Sequence, residues 1–211
     1  MKYPFLPILA VFILLHGCIS SGDTISPDET AKKIFTRAEL EGFDRMIHFV
    51  DSIVSAKTGL TGINESYNAY IDKLSSDVFS GGNFTPLVND ASKFQFLELI
   101  DNEAFSAIWG KQTIHLDWSS RPIQMLYLNS EGKYKRYLQK VGESDEWYAR
   151  IYEEIDRSGD FSPVIIARFL KNHHEHDFTL YKHRLWATVF LLNIAEPLEV
   201  SERYKENQAV E

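Results

Sequence analysis

Apolar side chains recur three and four residues apart along most of this chain, and polar clusters rich in Ser, Gly and Pro separate the periodic segments. This spacing places the apolar side chains on one face of a helix. The first segment predicts a helix over residues 27–57, with Ser26 as its N-cap and a bend near Gly42, where the apolar stripe shifts to a different face. The folded part therefore begins with a long amphipathic helix.

The same pattern predicts helices along the rest of the chain. Four further helices are predicted to follow the N-caps Asn64, Asp90, Asn102 and Ser130. Three more are predicted over residues 145–157, 163–172 and 179–195. Residues 185–195 are apolar on nearly all sides, which is typical of a helix at the centre of a core. We expect an all-α, mainly helical fold, a single compact domain of about seven helices. Residues 113–128 alternate apolar and polar side chains, which is compatible with one small β-hairpin packed on the helices.

The first residues of the chain have the pattern of an export signal. Lys2 supplies one positive charge, and an apolar stretch follows that ends at Leu15. This stretch is much shorter than the ~20 apolar residues that a helix needs to cross a bilayer. A charged start, a short apolar centre and a small residue before a cleavage point are typical of a secretory signal peptide.

The next residues, Leu15-His16-Gly17-Cys18, resemble the lipobox of bacterial lipoproteins. In that family the cysteine thiol receives a diacylglyceryl group, the signal is cleaved before the cysteine, and the new amino terminus is acylated. The resemblance implies a signal peptide over residues 1–17, a diacylglyceryl and an N-acyl lipid on Cys18, and a membrane as partner. The alternatives are an ordinary signal peptide with an unrelated cysteine, or a buried cysteine of a cytosolic protein.

The resemblance also bears on location and on chemistry. Residue 19 is Ile and not the Asp that keeps some lipoproteins at the inner membrane, so the outer membrane is favoured. Cys18 is the only cysteine of the chain, and a lipidated thiol is neither a nucleophile nor a metal ligand. The segments "SGDFSP" and "NSEGKYKRYL" are similar to segments of small exported lipoproteins of Gram-negative bacteria, but no activity follows from that likeness.

These patterns divide the chain into four parts: the signal at residues 1–17, a tether at 18–26, the helical domain at 27–197, and a polar, flexible tail at 198–211. The net charge is −8. It becomes −9 when the signal is removed, because Lys2 is the only charged residue in it. Since binding to phosphate backbones depends on clustered Lys and Arg, nucleic acid is not expected as a partner.

One segment, "NHHEHD" at residues 172–177, brings metal-binding side chains together in sequence. Imidazole and carboxylate groups are ligands for zinc, which makes His173, His176, Asp177 and His183 metal candidates. However, only His173 and Asp177 have the i, i+4 spacing of a helical site. We therefore favour a polar, solvent-facing turn between two helices, in which His174 or His176 bonds to the carbonyl groups at the preceding helix end. No cofactor is expected other than the lipid.

No nucleophile elbow, phosphate-binding glycine loop or HExxH pattern is present in the sequence. The leading hypothesis is therefore a membrane-anchored lipoprotein of the cell envelope that acts as a non-catalytic interaction module for a protein or a glycan. The alternative is a metal-dependent enzyme that uses the cluster from His173 to Asp177.

Overall fold

The computed structural model describes residues 25–81, 85–115 and 122–196. Within these ranges the fold is mainly helical, as predicted, with nine α-helices, a 3-10 turn and a two-stranded antiparallel hairpin. The helices are α1 Glu29–Ile34, α2 Arg37–Thr58, α3 Ile63–Phe79, α4 Asp90–Leu97, α5 Asn102–Ile108, α6 Lys133–Gly142, α7 Glu146–Ser158, α8 Pro163–Asn172 and α9 Tyr181–Asn193. The 3-10 turn is His173–Glu175, and the strands are β1 Trp109–Ile114 and β2 Ile123–Leu128.

The predicted first helix over residues 27–57 is in fact two helices, α1 and α2. Asp28, not Ser26, is the N-cap of α1, and its carboxylate accepts a hydrogen bond from the Ala31 backbone N–H at 2.8 Å. The chain leaves the helix at Phe35 and restarts at Thr36, which forms a capping box with Glu39. A capping box satisfies backbone donors at a helix start, so the pair fixes the break at this point.

Gly42, where the bend was predicted, lies inside the continuous helix α2 and not at the break between α1 and α2. It faces α5, and a Cβ atom at this position would lie 2.4 Å from the Cβ of Ala104. The break between α1 and α2 lies at Phe35, seven residues before Gly42. The glycine instead permits two helices to approach closely.

Four predicted N-caps are displaced by one or two residues. Asn89 and Asp101 cap α4 and α5 in place of Asp90 and Asn102, and Gly62 and Gly132 precede α3 and α6 in place of Asn64 and Ser130. The last three helices are closer to expectation. α8 has the predicted bounds, while α7 and α9 differ from them by one to two residues at each end.

The hairpin of β1 and β2 pairs Trp109 with Leu128 at one end and Ile114 with Ile123 at the other. Its inner face is buried in the core through Trp109, Leu126 and Leu128. A two-stranded sheet has marginal stability alone, and this packing onto the helices supports it. The predicted hairpin is thus confirmed, although β1 begins at Trp109, four residues before the predicted range 113–128; residues 116–121, between the strands, lie outside the described residues.

The centre of the core is α9. Almost all of its side chains are buried, including Leu185, Trp186 and Phe190, and it packs against α2. Ile25, at the end of the predicted tether, is also buried in this core, so the packed domain already includes Ile25. The predicted signal at residues 1–17, Cys18 and the tail at 198–211 lie outside the described residues. In the described part of the chain, no helix has the length and apolar composition to cross a membrane.

Candidate functional site

The histidine segment joins α8 to α9. α8 ends at Asn172, the 3-10 turn carries His173 and His174, and an irregular stretch leads from there to α9. α3 packs against both α8 and the 3-10 turn. This contact brings Asp72 of α3 beside two of the histidines, although 101 residues separate it from His173 in sequence.

His173 is only 2% exposed. Its Nδ1 lies 2.9 Å from the backbone oxygen of Leu170, and its Nε2 lies 3.2 Å from Oδ1 of Asp72. His174 is exposed, and its Nε2 is 2.9 Å from the same Oδ1 atom. The prediction that His174 or His176 would bond to the preceding helix end is therefore wrong, because His173 makes that bond.

His176 lies in an aromatic cluster and does not face solvent. Its ring centroid is 4.4 Å from that of Trp147 and 4.9 Å from that of His183. Burial lowers the pKa of His176 from 6.5 to about 4. Burial also lowers the pKa of His183, whose Nδ1 bonds to the backbone oxygen of Asp177 at 3.1 Å. Both rings are therefore neutral at pH 7 and belong to the core.

The carboxylate of Asp177 has a local structural role. Its Oδ1 accepts hydrogen bonds from the backbone N–H and the hydroxyl group of Thr179, and these bonds lower the pKa of the carboxyl group. The asparagine before the histidines, Asn172, is also used locally, since its side chain donates to the backbone oxygen of Arg168. The side chains of Asp177 and Asn172 are therefore used in local hydrogen bonds and do not join the histidines around one metal position.

The four predicted metal candidates thus do not converge on one point. In the described ranges, the one group of three or more metal-binding side chains with ligand atoms within 4.8 Å of one another is Asp72, His173 and His174. Of the predicted set, this group includes only His173. Sequence reasoning missed Asp72 because its position beside the histidines depends on how α3 packs, and no local pattern encodes that contact.

A cleft of about 590 Å³ lies on another part of the domain, where the N-terminal segment meets the start of α9 and the end of α6. Ile25, Val141 and Leu180 supply apolar surface, and Tyr181 lines the cleft as well. The Tyr181 hydroxyl is buried and has no hydrogen-bond partner among the described residues. Ligand sites typically combine this range of volume with mostly apolar walls and a few polar groups.

Four charged side chains line the cleft, and three of them are engaged in contacts across the fold. The fourth, Glu29, is exposed and pairs with Lys32 of the same helix. Asp28 accepts a hydrogen bond from the Tyr137 hydroxyl at 2.6 Å, and Lys182 pairs with Asp145 at 2.6 Å. Arg184 pairs with the buried carboxylate of Asp51, which also accepts from the Tyr67 hydroxyl at 2.8 Å. These pairs hold the walls in place.

No protein-family model, curated protein or solved structure matches this chain.

Proposed function

We propose that this protein is a lipoprotein of the cell envelope, anchored through diacylglyceryl and N-acyl lipids on Cys18, with the outer membrane favoured over the inner. Its helical domain is a non-catalytic module that binds a protein or glycan component of the envelope. Nucleic acid is not a partner in this proposal. The proposed docking site is the cleft between the N-terminal segment and α9.

The proposal rests on one observation, the place of the cleft in the chain. Its wall begins at Ile25, and only seven residue steps separate Ile25 from Cys18. Because an extended chain spans at most about 3.6 Å per residue, the cleft lies within about 25 Å of a lipid attached at Cys18. A site so close to the anchor favours a partner that is itself at the membrane surface.

The composition of the cleft supports binding over catalysis. Asp28, Lys182 and Arg184 are each engaged with another side chain, and Glu29, the remaining charged residue of the lining, pairs with Lys32 at the surface. A general acid or base needs a group that is free to exchange a proton with the substrate. The alternative, a metal-dependent enzyme that uses the cluster from His173 to Asp177, is also not favoured. His176, Asp177 and His183 lie apart from the cluster of Asp72, His173 and His174.

Metabolic labelling tests the anchor. Cells that express the full chain and are fed labelled palmitate are expected to yield a labelled protein that partitions into detergent. Cys18→Ser removes the acceptor thiol and is expected to abolish both the label and the partitioning. Two or more acyl chains make a stable anchor, whereas a single chain binds marginally. Unchanged labelling of Cys18→Ser would contradict the proposal.

Site-specific photocrosslinking tests the cleft. Leu180 lines the cleft and is 46% exposed, whereas Val164 on α8 is 52% exposed and does not line it. A photoreactive residue at position 180 of the full chain, activated in intact cells, is expected to give a discrete adduct that position 164 does not give. Protease and glycosidase digestion then identify the adduct as protein or glycan. Equal adducts at both positions, or none at position 180, would refute the docking site.

A further inference from the structure

We propose that Asp72, His173 and His174 form a binding site for a divalent transition-metal ion of the zinc class. This site is separate from the cleft and does not depend on its function. Two imidazole nitrogens and one carboxylate oxygen form a donor set that zinc accepts. His173 is the most buried of the three side chains.

His173 has a defined tautomer. A backbone carbonyl oxygen is only an acceptor, so the 2.9 Å contact between His173 Nδ1 and the Leu170 oxygen requires a proton on Nδ1. In the neutral ring the lone pair is then on Nε2. This buried Nε2 has no hydrogen-bond partner among the described residues, and Oδ1 of Asp72 lies 3.2 Å from it without meeting hydrogen-bond geometry.

A buried lone pair this close to a carboxylate oxygen is unfavourable unless a positive charge lies near both atoms. The charge is either a second proton on His173 or a cation bound by both atoms. His174 places a second imidazole nitrogen on the same oxygen, 2.9 Å away. Three side chains thus converge on one small volume, which a single cation satisfies together.

The spacing of the ligand atoms fits a metal ion. Metal–ligand bonds of about 2.0–2.1 Å in a tetrahedron place neighbouring ligand atoms about 3.3 Å apart. The two measured separations from Asp72 Oδ1 are 3.2 Å to His173 Nε2 and 2.9 Å to His174 Nε2, and all three atoms lie within 4.8 Å of one another.

The surroundings of the ligands also fit. Histidine ligands usually donate their second ring N–H to a carbonyl or carboxylate group, and His173 does so to Leu170. The side chains of His174 and Asp72 are 60% and 54% exposed. Solvent can therefore reach the site, and water can fill the remaining coordination positions.

Zinc titration of the full chain in detergent, made without an affinity tag and stripped with a chelator, tests the site. Calorimetry is expected to show one zinc ion bound per chain. Asp72→Asn and His174→Ala are each expected to weaken binding by about tenfold or more, since even the loss of outer partners of metal ligands costs that much. Both side chains are exposed, so the fold is expected to survive, and circular dichroism verifies that.

Two matched variants serve as controls. Glu175→Gln removes one negative charge from the same 3-10 turn, and His115→Ala removes an exposed histidine elsewhere. Both are expected to bind zinc like the unchanged protein. Absence of saturable zinc binding would overturn the proposal and assign the charge between His173 and Asp72 to a proton. Zinc binding that Asp72→Asn and His174→Ala leave unchanged would overturn it equally.

Discussion

Asp51 joins three helices through one carboxylate. It lies on α2, accepts a hydrogen bond from Tyr67 of α3, and pairs with Arg184 of α9, with Arg184 Nε at 3.0 Å and 3.1 Å from its two oxygens. Arg184 is 6% exposed. A buried cation without its partner is far less stable than the intact pair, because it has lost its hydration without compensation.

Asp51→Ala is therefore expected to lower the free energy of unfolding by about 3–5 kcal/mol, the usual cost of leaving a buried charge unpaired. Urea unfolding measures this change. The matched control is Glu41→Ala, also on α2, whose exposed ion pair with Arg37 is worth no more than about 1 kcal/mol. If Asp51→Ala lowers the free energy of unfolding as little as Glu41→Ala does, Asp51 does not have the structural role assigned to it.

The burial of the histidines shows what residue patterns leave open. Helical periodicity classes His173 and His176 as polar, so it predicts that they face solvent, yet both are buried. The aromatic rings of Trp147 and Phe169 cover His176, and Asp72 meets His173 only because α3 packs on α8. These contacts depend on the tertiary arrangement, and sequence spacing carries no signal for them.

At the scale of elements, the sequence predicts a helix start well where a side chain caps it. The predicted start of α8 at residue 163 is the observed one and that of α7 at residue 145 is one residue early, and both helices have an N-cap, Ser162 and Asp145, whose oxygen accepts a backbone N–H. Gly62 precedes α3 without any side-chain cap, so a rule based on capping side chains selects its neighbour Asn64. The amide of Asn64 instead accepts the Phe178 N–H at 2.8 Å, a contact across the domain.

The approach of α2 to α5 at Gly42 leads to a prediction at this scale. In an isolated helix Gly42→Ala would stabilise by about 1 kcal/mol. Here the new methyl group would overlap Ala104, and overpacking typically costs about 1–3 kcal/mol. We expect Gly42→Ala to lower the urea midpoint, while Ser52→Ala, on the exposed face of α2, changes stability by no more than about 0.5 kcal/mol. A higher midpoint for Gly42→Ala would show that the helices are not in close contact there.

At the scale of the whole molecule, the two buried, neutral histidines make stability depend on pH. Several charged or titratable groups surround His176: His173, Asp145, Lys182 and His183. The folded state keeps His176 neutral down to a pKa of about 4, whereas the unfolded chain takes up the proton near the ordinary value of 6.5. Since the unfolded state binds more protons between these values, stability falls as the pH falls through that window.

We expect the free energy of unfolding to drop by about 2–3 kcal/mol between pH 7 and pH 4.5 on account of His176, from about 1.4 kcal/mol per pKa unit. His183 contributes in the same direction. Urea unfolding of the full chain in detergent and chelator measures the drop, which His176→Phe is expected to reduce. If the free energy of unfolding of His176→Phe falls with pH as much as that of the unchanged protein, His176 is not the cause of the pH dependence.

Because nearly all side chains of α9 are buried, the core of the domain cannot be completed until α9 has been synthesised. The residues before α9 leave the ribosome first, and the part of α2 that packs on α9 is then uncovered, although α3 and α5 already pack on other parts of α2. Apolar surface that stays uncovered during synthesis promotes aggregation and attracts chaperones. A premature stop codon between residues 159 and 180 would leave the preceding helices without α9, the element around which they close. Degradation of the whole polypeptide, and not the loss of a single activity, would then be the dominant phenotype.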